Sequence, residues 1–264
     1  MKKINFNSRT LFALPYLIYM ALFVVVPLVI LIVYAFYNNG NGFSVAEVTN
    51  FFTDGSQWAT IGRSLRIALV AAVLCVVIGF PLAYTIARIK SKRLQYVLLM
   101  ALVAPMWING LLRTIALKDL ATLVGLPTGE FLLIVGLTID YLPFMLMPIY
   151  LVITGINPSY REASADLGAS PFTTFWQVEV PLSASGIISG FLMVFTPAVS
   201  TYYMSEYLGD QSTFMIGEQL NTMFIKDNKS GAAVIALVLL AIVGLSVAVT
   251  NWLSRIGNRR GGMY

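Results

Sequence analysis

Histidine is absent from this sequence of 264 residues, and cysteine occurs once, as Cys75. A disulfide within the chain is therefore excluded, and so is a metal site built from histidine and cysteine ligands. No glycine is followed directly by lysine, so the phosphate-binding loop that ends in Gly-Lys cannot form. The Gly-x-Ser-x-Gly turn of many hydrolases is missing too. We therefore expect no catalytic residue, no metal site and no cofactor-binding site in this chain.

Charged residues are also scarce. They make up 11% of the sequence, hydrophobic residues make up 58%, and the mean hydropathy is +0.80. A chain this apolar is typical of an integral membrane protein rather than a soluble domain. The formal net charge of +5 does not indicate nucleic-acid binding, because the basic residues are scattered between apolar runs instead of forming one patch.

Six apolar runs are each about 20 residues long, which is enough to cross the hydrocarbon layer of a membrane. The first is too long for a signal-peptide core and is interpreted as a retained membrane helix. Pro105 is expected to kink the third run. Asp140, Pro143 and Pro148 are expected to interrupt the fourth, where unwound backbone would line a water-filled path. The spans predicted in this single all-α domain are 11–37, 67–87, 94–112, 131–153, 182–203 and 231–253, with short polar links that include 118–130.

Lysine and arginine are unequally divided between the two ends of these spans. Connections rich in these residues stay in the cytoplasm. With the N-terminus inside, both termini and the loop 157–181 are predicted to be cytoplasmic. The basic residues on that side would be Lys2, Lys3, Arg9, Arg88, Lys90, Lys92, Arg93, Arg161, Arg255, Arg259 and Arg260.

A long polar stretch, 157–181, lies between two strongly apolar runs in the C-terminal half and is here named the elbow loop. Asn157 and Pro158 form a helix-start signal, and Gly168 is the residue that most easily ends a helix in the left-handed conformation. Ser170 and Pro171 repeat the start signal. The loop is therefore predicted to be two short helices joined at Gly168, outside the lipid.

A few polar and aromatic residues near the ends of the third to fifth spans are candidates for a substrate pathway. Acids without a nearby cluster of lysine or arginine suit a cationic solute, and aromatic rings attract cations as well. As alternatives, Asp140 marks a span boundary or pairs with a neighbouring arginine, and the aromatic residues are interface anchors. The candidate pathway residues are Trp107, Asn109, Asp140, Tyr141, Tyr203 and Glu206.

The elbow loop also carries a spaced motif. From Glu162 the sequence reads Glu-Ala-Ser, three residues, Gly168, nine residues, Val178, one residue and Val180-Pro181. This spacing resembles the EAA loop of permease subunits in ATP-binding-cassette (ABC) importers, which reads Glu-Ala-Ala, Gly, Ile and Leu-Pro at the same intervals. The departures are one serine for alanine, one valine for isoleucine and one valine for leucine. The alternative is an amphipathic loop at the membrane surface.

The resemblance implies that the elbow loop docks into a cleft of an ATPase subunit and couples its closure to opening of the membrane path. Small residues would permit close seating, and Gly168 would set the angle between the two helices. The coupling residues implied by the motif are Glu162, Ala163, Ser164, Leu167, Gly168, Ala169 and Phe172.

Longer stretches extend the resemblance over nearly the whole chain: GFPLAYTIAR (79–88), APMWINGLLRTIALK (104–118), DYLPFMLMPIY (140–150) and residues 163–190. They look like the first permease subunit of spermidine/putrescine importers, although the link 118–130 is shorter than that family leads us to expect. The resemblance implies the type I permease fold, a multi-pass subunit of a prokaryotic inner membrane, and polyamine uptake. The implied partners are a second permease subunit, two ATPase copies that hold ATP and Mg, and an extracytoplasmic substrate-binding protein.

Three alternatives are considered. A permease for another small solute, such as sulfate, thiosulfate, iron or an opine-like compound, would share the elbow loop. A stand-alone secondary transporter would be expected to show internal repeats and a coupling-ion site at the membrane midplane, and neither is visible in the sequence. An enzyme would need catalytic groups that the sequence does not offer.

Overall fold

A computed structural model describes residues 8–38 and 42–261 of the chain, and the side chains of 14–37 and 42–250. The fold is almost entirely helical, which confirms the all-α prediction. The first helices are α1 Ser8–Met20, α2 Val26–Ala35, α3 Ala46–Thr53, α4 Gly55–Ala87, α5 Lys92–Val103, α6 Gly110–Leu123 and α7 Glu130–Gly155. They are followed by α8 Ser159–Asp166, α9 Pro171–Thr174, α10 Val180–Leu182, α11 Ala184–Ser200, α12 Tyr203–Leu208, α13 Ile216–Ile225 and α14 Lys229–Gly261.

Short irregular segments join some of these helices. Ala21–Val25 and Phe175–Glu179 are π-helical, and Ala104–Trp107 and Gln211–Thr213 are 3₁₀-helical. Tyr37–Asn38 and Gly42–Phe43 form a small antiparallel pair, in which Tyr37 lies opposite Phe43. Within the described residues, this pair is the only β structure.

Four helical stretches are long and apolar enough to cross a membrane: Leu14–Ala35, Gly55–Ala87, Glu130–Gly155 and Lys229–Thr250. Two further spans result if each bent pair of helices crosses once. Lys92–Trp107 meets Gly110–Leu123 at 95°, and Pro171–Leu182 meets Ala184–Ser200 at 63°. The described residues thus provide four to six crossings, and six agrees with the number of apolar runs in the sequence.

The third apolar run is broken where Pro105 was expected to kink it. The α-helix ends at Val103, and α6 starts anew at Gly110. Asn109 caps this new helix, because its Oδ1 accepts a hydrogen bond of 2.9 Å from the Leu111 amide. The prediction that 118–130 is a polar link was wrong in its first half. α6 continues to Leu123 because leucine, alanine and lysine in this stretch are good helix formers.

The predicted interruption of the fourth run was also wrong. α7 is one continuous helix through Asp140, Pro143 and Pro148. Each proline removes one backbone donor, but the other amides of an apolar helix have no water to bond with if the helix opens. The helix therefore stays closed around both prolines, and Asp140 projects from regular helix instead of unwound backbone.

The described chain forms two compact units. The first comprises residues up to Gln57 together with Leu220–Leu240. In it, Ala35 and Phe51 are buried, and the Ser230 hydroxyl donates a hydrogen bond to the Tyr37 carbonyl. The second comprises Trp58–Gln219 and the chain from Ala241 onward, and it holds the elbow loop and all six candidate pathway residues.

In the second unit, α7 packs along α11 through glycines that let the two backbones approach. A Cβ added at Gly190 would lie 2.7 Å from Met145 Sδ and 3.0 Å from the Met145 carbonyl oxygen. One added at Gly186 would lie 2.9 Å from the Pro148 carbonyl oxygen. Small residues at such contacts are a common basis of helix association in membranes. The glycine face of α11 therefore fixes its distance from α7.

We expect Gly190→Ala to lower the thermal unfolding midpoint of the detergent-purified protein by several degrees. Overpacking of a tight contact costs about 1–3 kcal/mol. Gly244→Ala on α14 is the matched control, because a Cβ there meets no atom within 4 Å. Equal midpoints for the two variants would show that α7 and α11 are not held at this distance.

Candidate functional site

The elbow loop folds as its sequence predicts. Asn157 Oδ1 accepts a 3.0 Å hydrogen bond from the Ser159 amide at the start of α8. Gly168 has a φ of +79°, in the left-handed region that favours glycine. Ser170 Oγ accepts a 3.1 Å hydrogen bond from the Thr173 amide, and α9 begins at Pro171. Two short helices are thus joined at a glycine elbow.

The coupling residues implied by the motif lie mostly on the surface of this loop. Glu162, Ala163 and Gly168 are exposed. Leu167 is 88% exposed and Phe172 is 73% exposed. Large apolar side chains that stand out of a polar loop are typical of a protein-binding surface.

The other two motif residues face inward. Ser164 and Ala169 are half-buried, and the Ser164 hydroxyl is hydrogen-bonded to that of Thr174 at 2.9 Å. This contact ties α8 to α9. The loop therefore exposes one face to solvent, while side chains on its other face hold α8 and α9 together.

An acid that the sequence analysis did not single out lies at the end of the elbow loop. Glu179 is 6% exposed, and its carboxylate accepts hydrogen bonds from Tyr84 Oη at 2.5 Å, Arg161 Nε at 3.2 Å and Arg88 Nη2. The Arg88 guanidinium also stacks over the Tyr84 ring, 4.0 Å from its centre. A weak sequence signal existed, because Tyr84 and Arg88 are four residues apart, which is the spacing of neighbours on one helix face.

The strongest pathway candidate, Asp140, is buried and paired. Its side chain is 8% exposed, and its Oδ1 lies 2.5 Å from Arg113 Nη2. The Tyr203 side chain is also hydrogen-bonded to this carboxylate. One alternative for Asp140 was that it pairs with a neighbouring arginine, and the structure contains this pair.

Asp140 and Arg113 line a cavity of about 260 Å³. Thr114 contributes a further polar side chain. The remaining lining is apolar and consists of Ala101, Leu102, Pro105, Leu117, Gly136, Ile139, Leu142, Pro143, Leu146, Met204 and Leu208. A single ion pair at the wall of an apolar cavity is the main polar feature that a solute there would meet.

The structure brings together only part of the candidate pathway set. Tyr141 is 7% exposed and is hydrogen-bonded to Tyr203. The Tyr203 hydroxyl lies close to the backbone where α6 begins, since a Cβ at Gly110 would be 2.7 Å from it. Asn109 is next to this contact but serves as the helix cap. Trp107 is 83% exposed and does not line the cavity.

The acids after the fifth run lie apart from the cavity. Glu206 is exposed on α12, and its charge adds to the burial that raises the pKa of Glu218. Glu218 accepts a 2.5 Å hydrogen bond from the Ser205 hydroxyl. Hydrogen bonds from Ser212 hold the pKa of Asp210 below its usual range, since Asp210 caps a 3₁₀ turn. Glu218 and Asp210 thus have local hydrogen-bonding roles, and Glu206 does not line the cavity.

We expect Arg113→Gln to destabilise the purified protein by roughly 3–5 kcal/mol, because it leaves a buried carboxylate unpaired. Arg66→Gln is the control, since its pair with Glu130 has side chains 60% and 39% exposed. Breaking such a surface pair should cost about 0–1 kcal/mol. Denaturant unfolding measures both. A small loss for Arg113→Gln would mean that water reaches Asp140.

Comparison with known proteins identifies the family of the chain. Residues 4–260 match the family described as binding-protein-dependent transport system inner membrane component. The spermidine/putrescine transport system permease protein PotB of Escherichia coli is 34% identical over 218 residues, which is 75% of this chain and 78% of that protein. PotB of Haemophilus influenzae is 28% identical over 262 residues, 90% of this chain and 91% of that protein.

Solved structures agree on the fold. A bacterial alginate ABC transporter, in complex with an alginate-bound periplasmic protein, contains a chain that matches with a TM-score of 0.73 and 14% identity, over 93% of each chain. The MetNI methionine ABC transporter in an inward-facing conformation matches with a TM-score of 0.64 and 18% identity, over 78% of this chain and 99% of that chain. The present chain belongs to the family of binding-protein-dependent transport system inner membrane components, the permease subunits of ABC importers.

Proposed function

We propose that this permease takes up polyamines such as spermidine and putrescine. The observation that carries the proposal is the 34% identity to a spermidine/putrescine permease over most of both chains. The buried carboxylate at the cavity wall is consistent with it, because a polyamine carries protonated amines. The chain has no nucleotide-binding loop of its own, so ATP and Mg would be bound by a partner ATPase.

The proposed assembly places this chain beside a second permease subunit, two copies of an ABC ATPase and an extracytoplasmic substrate-binding protein. The family is one of inner membrane components, and the described helices include several candidate spans. We assign both termini and the elbow loop to the cytoplasm, because the lysine and arginine residues concentrate on that side. The elbow loop would then face the ATPase.

The exposed face of the elbow loop is the proposed ATPase contact. Leu167 and Phe172 stand on either side of Gly168 and supply apolar area. No atom lies within 4 Å of a Cβ built at Gly168, so the outer side of the elbow is open. A rigid two-helix elbow with an open apolar tip suits insertion into a cleft, and its displacement would be passed on to the membrane helices.

We expect Gly168→Trp and Glu162→Lys to abolish ATP-driven uptake while membrane insertion is retained. The indole would fill the open side of the elbow and force an unfavourable backbone at φ +79°. The measurements are co-purification of the ATPase and solute uptake in proteoliposomes.

Asp119→Lys makes the same charge change as Glu162→Lys on an exposed residue of α6, outside the elbow loop. It should leave ATPase co-purification intact. Full uptake in either elbow variant would exclude a coupling role for this loop.

For the substrate path, we propose that a protonated amine of the polyamine competes with Arg113 for the Asp140 carboxylate. Both side chains line the same cavity, and the carboxylate oxygen is 2.5 Å from the guanidinium. When a polyamine amine replaces the Arg113 guanidinium, the Asp140 carboxylate stays paired with a cation. The polyamine can then pass without leaving a buried charge unpaired, which would be costly. Tyr203 would hold the carboxylate in place throughout.

We expect Asp140→Asn to lower spermidine uptake about tenfold, since a charge-assisted hydrogen bond is worth roughly 1.5–3 kcal/mol. Uptake is measured with radiolabelled spermidine in proteoliposomes and normalised to the amount of assembled complex. Arg66→Gln, which breaks an exposed pair, should leave uptake unchanged. Unchanged uptake in Asp140→Asn would show that Asp140 is not part of the substrate path.

A second candidate is a permease for another small solute, such as sulfate. The Arg113 guanidinium at the cavity wall favours it, because this planar donor group binds oxyanions well. The discriminating measurement is the ATPase activity of the complete complex with empty, spermidine-loaded and sulfate-loaded binding protein. Stimulation by the spermidine-loaded form alone supports polyamine import.

A further inference from the structure

The buried acid Glu179 connects two elements of the second unit. Tyr84 lies in the last turn of α4, which is a candidate membrane span, and Arg88 directly follows its last residue. Arg161 comes from α8, the first helix of the elbow loop. The carboxylate therefore joins a membrane helix to the element proposed to contact the ATPase.

This connection matters because α8 has little else to hold it. None of its residues is buried. Among the described residues, two side-chain hydrogen bonds link it to other elements, namely Arg161 to Glu179 and Ser164 to Thr174. The second of these leads only to α9. The Arg161 contact is thus the direct polar link from α8 towards α4.

The end of α4 depends on the same carboxylate. Arg88 donates to Glu179 through Nη2, while its buried Nε has no hydrogen-bond partner within the described residues. Without the acid, Arg88 and Arg161 would be two cations with no counter-charge between them, and they would repel each other. One buried carboxylate therefore keeps two guanidinium groups from different elements together.

We propose that Glu179 is a positioning residue, which transmits movement of α8 to the end of α4 through its shared ion pairs with Arg161 and Arg88. This inference rests on the proposed coupling role of the elbow loop. Movement of α8 pulls on the carboxylate, and the carboxylate carries Arg88 and the end of α4 with it. A purely structural acid would support folding but would not set the yield of transport per ATP.

The test reconstitutes the complete importer with permease variants Glu179→Gln and Arg161→Gln and measures spermidine imported per ATP hydrolysed. We expect each ratio to fall about tenfold, as for loss of a charge-assisted contact. The ratio for the double variant should be no lower than that for Glu179→Gln alone, because both changes break the same contact between Arg161 and Glu179. Arg93→Gln is the matched control, since this exposed arginine on α5 loses the same charge away from Glu179.

Wild-type ratios in both single variants would overturn the inference, and so would losses that add in the double variant. If the complex with Glu179→Gln does not assemble, Arg161→Gln still tests the inference. The Arg161 side chain is 51% exposed and is not needed for a packed core. A wild-type complex that imports no spermidine contradicts the polyamine proposal instead. The variants are then compared by how far the binding protein stimulates ATP hydrolysis over the basal rate.

Discussion

The structure depends on one constraint, which is that polar groups in an apolar surrounding must find partners within the protein. α7 stays helical through two prolines because its amides have no other acceptors. Asp140 is matched by Arg113 within 2.5 Å, and Glu179 is matched by donors from two elements. In a chain with 11% charged residues, the two buried carboxylates of the described residues, Asp140 and Glu179, are thus tied to defined partners. Those pairs are also where solute passage and coupling would act.

Much of the fold follows from the sequence. The apolar runs predicted the membrane helices, and Pro105 predicted a kink at the place where the third run breaks. The cap and glycine signals predicted both helices of the elbow loop. These features are local, since they depend on neighbours in the chain. The motif around Glu162 and Gly168 depends on spacing alone, and it indicated the family before any tertiary contact was known.

What the sequence could not supply was pairing across long separations. Arg113 and Asp140 are joined by the packing of α6 and α7, and Tyr84 and Glu179 by the packing of the elbow loop on α4. No periodicity in either segment encodes such a contact. The unbroken α7 was missed for a related reason, because the helix-breaking effect of proline is a rule drawn from chains in water. The candidate pathway set was accordingly only partly assembled, with Trp107 and Glu206 outside the cavity.

The π-helical turn at Phe175–Glu179 has a consequence for the length of the chain. A π turn contains one residue more than the α-helical turn it replaces, so it adjusts the rotation of everything that follows. Removing one residue there would rotate the following α10 by about 100° about its axis and so redirect α11, which meets it at 63°. Its glycines would then point away from α7, and larger side chains would meet the α7 backbone. The number of residues between the elbow and the membrane helix thus determines which face of α11 meets α7. A single insertion or deletion there should therefore disrupt the packing far more than a substitution.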